Sequence, residues 1–293
     1  MIDRATVAAL VGSAVDRADR LGGGDVAESF RVELDDGRTV FAKTHRNPPP
    51  HFFSTEAAGL AWLGDGLAAA GAGAGGDGLS VPEVLGCSDE PPLLVLAWVD
   101  ERRGPPADEA AVGRALAELH RVGSPSFGRE DRRTTGSRGL PNDPCDTWSE
   151  FYAERRLRPL ARLAADGGAL TPDDVAAIDD LAGRLDAVGG PPEPPARLHG
   201  DLWAGNRIVD GEGRSWLIDP AAHGGHREFD LAMMRLFGGF GPDCFAAYHE
   251  AFPLADGWEE RVALHQLAPL AVHAIKFGGG YRAATAEAIA RYR

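Results

Sequence analysis

One nine-residue segment of the chain carries side chains that suit phosphoryl transfer. It reads Leu198-His199-Gly200-Asp201-Leu202-Trp203-Ala204-Gly205-Asn206, and an apolar run further along ends at Asp219. Asn206 lies five positions after Asp201, and Asp219 lies eighteen positions after it. Phosphoryl transfer requires a carboxylate near the attacking hydroxyl and oxygen ligands for the metal on the nucleotide phosphates. The spacing predicts Asp201 as the catalytic base and Asn206 and Asp219 as ligands of Mg²⁺.

Each of these residues also has an ordinary structural explanation. His199 and Asp201 are common in turns, and Asp219 could cap a helix or a turn. For a single acid that explanation is the stronger one. The three residues together, with Pro220 directly after Asp219, favour the catalytic interpretation because the whole set has kinase-like spacing.

A lysine and a glutamate near the start of the chain extend this pattern to a nucleotide site. Lys43 ends an apolar run, and Glu56 follows thirteen positions later in a segment with helical spacing. An ion pair between them would orient the ammonium group toward the phosphates of ATP. A surface lysine and a solvated glutamate would give the same pattern. The glycines are predicted to cover the phosphates with backbone amides, or else to end a helix: Gly22, Gly23 and Gly24.

The patterns in the first third of the chain predict mainly strands. A helix is expected from Thr6 through Leu21, followed by a hairpin that turns at Asp36-Gly37. Phe53, Ala57 and Leu60 then define one face of a helix that points Glu56 partly inward. Two apolar runs, at 84–85 and 93–98, predict buried strands.

The remainder of the chain has mainly helical patterns. A helix is expected around Leu116, and another begins near Trp148 with Asp146 as its N-terminal cap. A further amphipathic helix covers 173–185 and ends before the prolines that begin at Pro191. The order of elements therefore predicts an α+β fold with a sheet-rich N-terminal part and a helical C-terminal part.

Composition excludes several classes of function. The 293-residue chain carries 30 basic and 44 acidic residues, a net charge of −14, which is unsuited to binding nucleic acid. Its three cysteines are widely spaced, so neither a disulfide framework nor a Cys-x-x-Cys metal site is expected. No apolar run approaches the roughly 20 residues of a membrane span. These features predict a cytoplasmic protein without nucleic-acid or membrane partners.

Longer segments resemble the fructosamine kinase (ketosamine 3-kinase) family. The similarity is densest from His199 through Phe240, which includes His-Gly-Asp-Leu-Trp-Ala-Gly-Asn, Ile-Asp-Pro-Ala and Phe-Gly-Gly-Phe. The segments at 148–157 and 272–281 also resemble family signatures. The His-Gly-Asp core is shared with aminoglycoside and choline kinases, whereas Leu202-Trp203 points more narrowly to this family.

The resemblance implies a bilobal protein-kinase-like fold that binds ATP and Mg²⁺. Residues 1–97 would form the nucleotide-binding lobe and residues 98–293 the catalytic lobe, with the hinge at Ala97, Trp98 and Val99. The family phosphorylates the sugar C3 hydroxyl of ketoamines, and the product then breaks down to free the amine, a deglycation repair. The acceptor would be a small-molecule or protein-bound ketoamine, and the enzyme a monomer or a homodimer.

Further roles follow for individual residues. Trp203 is expected to contact the substrate, with packing between lobes as the alternative. Phe240 and His223 are assigned to the same pocket, with a core role as the equal alternative for Phe240. Asp230 is expected to support the catalytic loop beside His199. Two rival functions remain: a kinase for an aminoglycoside or choline-like acceptor, and a nucleotide-binding pseudokinase. A metal cluster of His223, His226 and Glu228 is a weaker alternative to surface imidazoles after a turn.

Overall fold

The computed structural model describes residues 2–22, 27–71, 78–101, 106–131, 134–135 and 139–293. Gly23 and Gly24, two of the three glycines predicted to cover the phosphates, lie outside the described residues. Within the described ranges, no helix is long and apolar enough to cross a membrane.

The N-terminal elements are one short helix and three strands. Helix α1 spans Arg4–Val11 and is followed by β1 (Val15–Arg20), β2 (Glu28–Leu34) and β3 (Thr39–Thr44). The hairpin predicted around Asp36-Gly37 is thus present as β2 and β3. The single helix predicted from Thr6 through Leu21 is wrong in its second half. Gly12 ends α1 at φ 71°, and β1 then pairs with β2 as an edge strand.

A long helix and three further strands complete the small lobe. Helix α2 spans Phe52–Ala69, and the strands are β4 (Leu79–Ser80), β5 (Val84–Asp89) and β6 (Pro92–Ala97). Five strands form one antiparallel sheet in the order β1-β2-β3-β6-β5. The short β4 instead pairs in parallel with a strand from the later part of the chain.

The alternation of side chains along the sheet determines which residues face α2. On β6, Leu93 and Val95 pack with α1, whereas Leu94 and Leu96 pack with α2. On β3, Val40 and Ala42 belong to the α1 side. Because successive side chains of a strand point to opposite faces, Lys43 lies on the α2 side, where Glu56 is located.

The large lobe is mainly helical. Its helices are α3 (Glu109–Val122), α4 (Trp148–Tyr152), α5 (Arg158–Asp166), α6 (Pro172–Ala182), α7 (Leu185–Val188), α8 (Glu228–Phe237), α9 (Pro242–Ala251), α10 (Trp258–Phe277) and α11 (Gly280–Ala290). A π-helical segment, Ala153–Leu157, joins α4 to α5. Its short strands are β7 (Thr134–Thr135), β8 (Leu140–Pro141), β9 (Ala196–Leu198), β10 (Arg207–Val209), β11 (Ser215–Leu217) and β12 (His223–Gly225).

Two details of the helix predictions are wrong. Thr147, rather than Asp146, caps α4, because its side chain accepts a hydrogen bond from the backbone N–H of Glu150 at 3.2 Å. The predicted helix at 173–185 is two helices, since α6 ends at Ala182 and Gly183 separates it from α7.

Candidate active site

An ion-pair cluster of Lys43, Glu56 and Asp219 joins the small lobe to the segment that follows β11. The Nζ atom of Lys43 lies 2.5 Å from Glu56 Oε1 and 2.6 Å from Asp219 Oδ1. Lys43 is 4% and Glu56 7% exposed, whereas the Asp219 side chain is 50% exposed. The lysine therefore bridges a buried carboxylate and one that is half exposed.

The Lys43 ammonium remains charged in this environment. Burial opposes the charge, but the carboxylates of Glu56 and Asp219 outweigh it and raise the pKa of Lys43. In turn, Lys43 overcomes the effect of burial on Asp219 and holds the pKa of that carboxyl below its usual value. Both groups are ionised at neutral pH.

The catalytic loop brings Asp201 and Asn206 together. It ends in a single 3₁₀ turn, Ala204–Asn206, after which the chain enters β10. The side-chain amide of Asn206 donates hydrogen bonds to the backbone oxygen of Asp201 at 2.8 Å and to its Oδ2 at 2.9 Å. The second of these bonds orients the Asp201 carboxylate.

A hairpin carries Asp219 back to the same place. Strands β10 and β11 pair antiparallel, and the backbone N–H of Ile218 donates to the carbonyl of Asn206 at 3.0 Å. Asp219 follows directly in the left-handed region, with φ 53°. A non-glycine residue in this region is strained, and such strain is concentrated at functional sites.

Asp230 supports the start of the catalytic loop through hydrogen bonds to its backbone. Fully buried at the start of α8, it accepts hydrogen bonds from the backbone N–H groups of His199 at 2.8 Å and Gly200 at 2.9 Å. The His199 ring accepts from the N–H of Asp201 and donates to the carbonyl of Ile218 at 3.0 Å. Burial lowers the pKa of His199, which agrees with this neutral imidazole.

A further buried histidine, which the sequence patterns do not indicate, contacts Asp230 and so helps to support the catalytic loop. His120, buried on α3, contacts Asp230 Oδ2 at 3.4 Å through Nε2 and the Tyr248 hydroxyl at 2.8 Å through Nδ1. Nothing in the sequence around His120 distinguishes it from other helical residues. Only the packing of α3 against α8 and α9 brings it to Asp230.

The donor set fits a hard divalent cation. Mg²⁺ prefers oxygen ligands and is bound in kinases by one or two side chains together with nucleotide phosphates. Because the Asn206 Nδ2 is taken up by Asp201, its Oδ1 is the atom left for a metal. The second candidate ligand is the half-exposed carboxylate of Asp219, which lies two positions after the end of the paired strand β11.

The other described residues predicted to bind the nucleotide lie at or just after the ends of sheet strands. Gly22 follows β1 in the connection to β2, so its interpretation as a helix terminator is wrong. Ala97 ends β6 and donates its N–H to the Glu83 carbonyl at 2.8 Å. Trp98 and Val99 continue from it toward α3, and the Trp98 ring lies 5.5 Å from the Arg31 guanidinium.

The three residues predicted to contact substrate occupy different surroundings. Trp203 is partly exposed beside Asp201, and its ring packs edge-on against Phe237 with centroids 5.5 Å apart. Phe240 lies 4.8 Å from the Arg207 guanidinium. His223 is 1% exposed and stacks on Phe151 in the core, a placement that does not support substrate contact.

The imidazoles after β12 are buried, contrary to the expectation of surface histidines. His226 is 2% exposed and stacks on the fully buried His265, with ring centroids 5.3 Å apart. Among the described residues, these two and Glu228 place ligand atoms within 4.8 Å of one another. However, Arg261 already binds both carboxylate oxygens of Glu228, at 2.6 Å and 2.9 Å, so the geometry favours an ion pair over a metal.

Comparison with known proteins identifies the family. The model of the fructosamine kinase family matches residues 3–293. The chain belongs to this family. A probable ketoamine kinase of Thermus thermophilus is 35% identical over 272 residues, which cover 92% of this chain and 91% of that protein. The chloroplastic protein-ribulosamine 3-kinase of Arabidopsis thaliana is 31% identical over 280 residues, which cover 93% and 81% of the two chains.

Solved structures confirm the predicted α+β fold of the protein-kinase-like type. A fructosamine-3-kinase candidate from Thermobifida fusca superposes with a TM-score of 0.86 at 41% identity, covering 99% of this chain and 97% of that one. An aminoglycoside phosphotransferase in complex with ADP and hygromycin B reaches a TM-score of 0.59 at 15% identity, covering 97% and 98%. At that identity the second similarity shows the fold alone, so the aminoglycoside alternative gains no support from it.

Proposed function

We propose that this fructosamine kinase family member is an ATP-dependent kinase that phosphorylates the C3 hydroxyl of ketoamine sugars. The observation that carries the proposal is the pair of contacts from Lys43, to Glu56 at 2.5 Å and to Asp219 at 2.6 Å. They connect the sheet lobe to Asp219, and the β10–β11 hairpin joins Asp219 to the loop that holds Asp201 and Asn206. Phosphoryl transfer requires such an arrangement.

Asp201 is assigned as the catalytic base. Its Oδ2 accepts the hydrogen bond from Asn206, which leaves Oδ1 to accept the hydrogen bond from the C3 hydroxyl. The sugar oxygen forms its bond to the γ-phosphorus, the bond from phosphorus to the oxygen bridging the β- and γ-phosphates breaks, and ADP leaves. The hydroxyl proton passes to Asp201. Positioning and charge neutralisation supply most of the acceleration.

The remaining polar residues bind the nucleotide. Lys43, oriented by Glu56, binds the inner phosphates of ATP. Asn206 and Asp219 would hold Mg²⁺, which neutralises charge on the phosphates when bound. Trp203, which is partly exposed two positions after Asp201, is assigned to present a ring face to the sugar or its amine.

The acceptor panel tests this function. Fructosamine, ribulosamine, an aminoglycoside and choline are each incubated with ATP and Mg²⁺, and the products are identified by mass. We expect a gain of one phosphoryl group on the ketoamines and none on the other two acceptors. Phosphorylation of the aminoglycoside or choline in preference to both ketoamines would contradict the proposal, as would nucleotide binding without turnover on any acceptor. Cytoplasmic location and a monomeric or homodimeric state stay predictions.

The pH dependence of the reaction should report the ionisation of Asp201. Burial raises the pKa of Asp201 to about 7, against the hydrogen bond from Asn206, and the charges of Asp219 and Asp230 act in the same direction as burial. The base must be ionised, so kcat/KM is expected to fall about tenfold per pH unit below neutrality and to level off above it. Initial rates with both substrates well below saturation measure this profile. Binding of ATP and Mg²⁺ over the same range is the control, and a limb that ends near the ordinary aspartate pKa would contradict the assignment.

A further inference from the structure

The two ends of α8 contact the two ends of the catalytic loop. At the start of the helix, Asp230 accepts hydrogen bonds from the backbone N–H groups of His199 and Gly200. Directly after the last residue of the helix, the carbonyl of Gly238 accepts a hydrogen bond from the N–H of Ala204 at 3.0 Å. The segment that contains the base is therefore held at both ends by one helix.

Arg207 joins the segment between α8 and α9 to the end of the catalytic loop. It follows Asn206 directly, and its side chain is 4% exposed. Its Nη1 donates to the Gly239 carbonyl at 2.7 Å, and its Nη2 donates to Glu109 Oε1 at 2.7 Å. The second oxygen of Glu109 accepts a hydrogen bond from the N–H of Gly241 at 2.8 Å. Arg207 and Glu109 therefore hold this segment against the strand that begins after Asn206.

Gly239 lies against the catalytic loop at a distance that no side chain would allow. Its φ is 95°, and a Cβ atom at this position would lie 2.5 Å from both the Cα and the Cβ of Ala204. Carbon atoms pack at about 3.5–4.0 Å, so a side chain here would push the backbone of Ala204 away. Ala204 begins the 3₁₀ turn that ends at Asn206, and displacing it displaces Asn206. The glycine therefore fixes where the catalytic loop ends.

We propose that Gly239 and Arg207 are positioning residues for Asn206, and that through them α8 sets the place of one Mg²⁺ ligand. The inference rests on the proposed ATP-dependent kinase function and assigns a role to the Phe-Gly-Gly-Phe motif. Neither residue touches the nucleotide or the acceptor. Both act on Asn206, whose Oδ1 is the atom left for the metal and whose Nδ2 orients the carboxylate of Asp201.

Asn206 is held from its other side by the hairpin that carries Asp219. Its carbonyl accepts a hydrogen bond from the N–H of Ile218 at 3.0 Å, and Asp219 follows directly. The separation of the two assigned Mg²⁺ ligands therefore depends on where Asn206 lies between this hairpin and the segment after α8. Because Mg²⁺ requires near-ideal octahedral geometry, a shift of one ligand weakens its binding. Groups that hold metal ligands in place typically contribute about 10- to 100-fold to metal affinity or activity.

Gly239→Ala tests the close approach to Ala204. Calorimetry gives the affinity for ADP in MgCl₂ and in EDTA, and the ratio of the two affinities measures the contribution of the metal. We expect this ratio to be about 10-fold smaller in Gly239→Ala than in wild type, and the affinity in EDTA to be unchanged. The Mg²⁺ concentration that gives half-maximal ketoamine phosphorylation should rise by a similar factor.

Gly168→Ala is the matched control for this variant. Gly168, after α5, has a φ of 62°, and a Cβ atom there would have nothing within 4 Å. The control therefore carries the backbone cost of alanine at positive φ without a collision, so it should keep the wild-type ratio.

Arg207→Met and Arg207→Lys test the other contact. Methionine cannot donate to the Gly239 carbonyl or to Glu109, whereas lysine keeps the charge but lacks the fork that bonds both groups. We expect the ratio of ADP affinities to fall about 10-fold in Arg207→Met and to recover in part in Arg207→Lys. Arg214→Met, which removes a more exposed arginine from the turn between β10 and β11, is the control and should keep the wild-type ratio.

The ratio of ADP affinities separates positioning from stability. A lower thermal midpoint in Gly239→Ala and Arg207→Met with a wild-type ratio would show a structural role only and overturn the inference. If Gly239→Ala does not fold, the two Arg207 variants decide by the same ratio. Because ADP binding needs no acceptor, phosphorylation of another class of acceptor would overturn the ketoamine proposal and leave this result intact. Wild-type protein that binds ADP no better with Mg²⁺ would overturn the inference, whether or not ketoamines are phosphorylated.

Discussion

Replacing Asp201 with asparagine is expected to lower kcat by about 10²- to 10⁴-fold, the range that general-base catalysis contributes. The amide has the shape of the carboxylate but cannot take up the hydroxyl proton. Its oxygen still accepts the hydrogen bond that Asn206 donates at 2.9 Å to Asp201 Oδ2, so the loop should keep its conformation. Steady-state rates with a ketoamine acceptor measure the effect, and calorimetry measures the affinity for ATP and Mg²⁺.

The control for this variant is another aspartate that lies away from the cleft. Asp166 is exposed at the end of α5, and Asp166→Asn should leave kcat unchanged. The thermal midpoint of Asp201→Asn should stay close to that of the wild type. If the purified Asp201→Asn protein phosphorylates ketoamines at near wild-type rates, Asp201 is not the base.

The largest effect on stability is expected at Arg261. Its guanidinium binds both oxygens of Glu228, a carboxylate that is 1% exposed, and His265 lies 3.3 Å from the same group. Arg261→Met would leave the buried charge of Glu228 without its partner. Such losses cost about 3–5 kcal/mol in the free energy of unfolding. Urea unfolding at neutral pH measures this quantity.

Two further variants separate the buried charge from other causes. Arg261→Met combined with Glu228→Gln removes both charges and should recover part of the loss. Arg291→Met breaks an exposed pair with Glu287 and should cost less than about 1 kcal/mol. If Arg261→Met lowers the free energy of unfolding by no more than Arg291→Met does, the pair of Arg261 with Glu228 contributes little to stability.

The same pair determines how stability changes in acid. Burial alone would raise the pKa of Glu228, but the adjacent His265 and the hydrogen bonds from Arg261 lower it to about 2. A carboxyl with a lowered pKa stabilises the fold fully above its unfolded value and loses that contribution as pH falls toward the folded value. Stability from Glu228 should therefore decline between about pH 4.5 and pH 2.

Local sequence patterns predict some elements correctly. They fail for a strand whose conformation depends on pairing with another strand. The β2–β3 hairpin follows from alternating apolar residues around Asp36-Gly37, and this signal lies within the segment itself. In contrast, the charged residues of β1 have no clear alternation, and its strand conformation comes from pairing with β2. The local pattern therefore predicts a helix for that segment, because the pairing energy with β2 is not visible in its own sequence.

Taken alone, the sequence determined the family, the fold class and the group of oxygen-bearing side chains from Asp201 to Asp219. The side-chain group rests on short spacings within one loop and hairpin, whereas the family and the fold class rest on the resemblance of longer segments and on the order of elements along the chain. The tertiary structure decided that Lys43 meets Asp219 across 176 positions and that His223 is buried in the core. Periodicity and spacing report only on neighbours along the chain, whereas these contacts arise from the packing of separate elements, which no local pattern encodes.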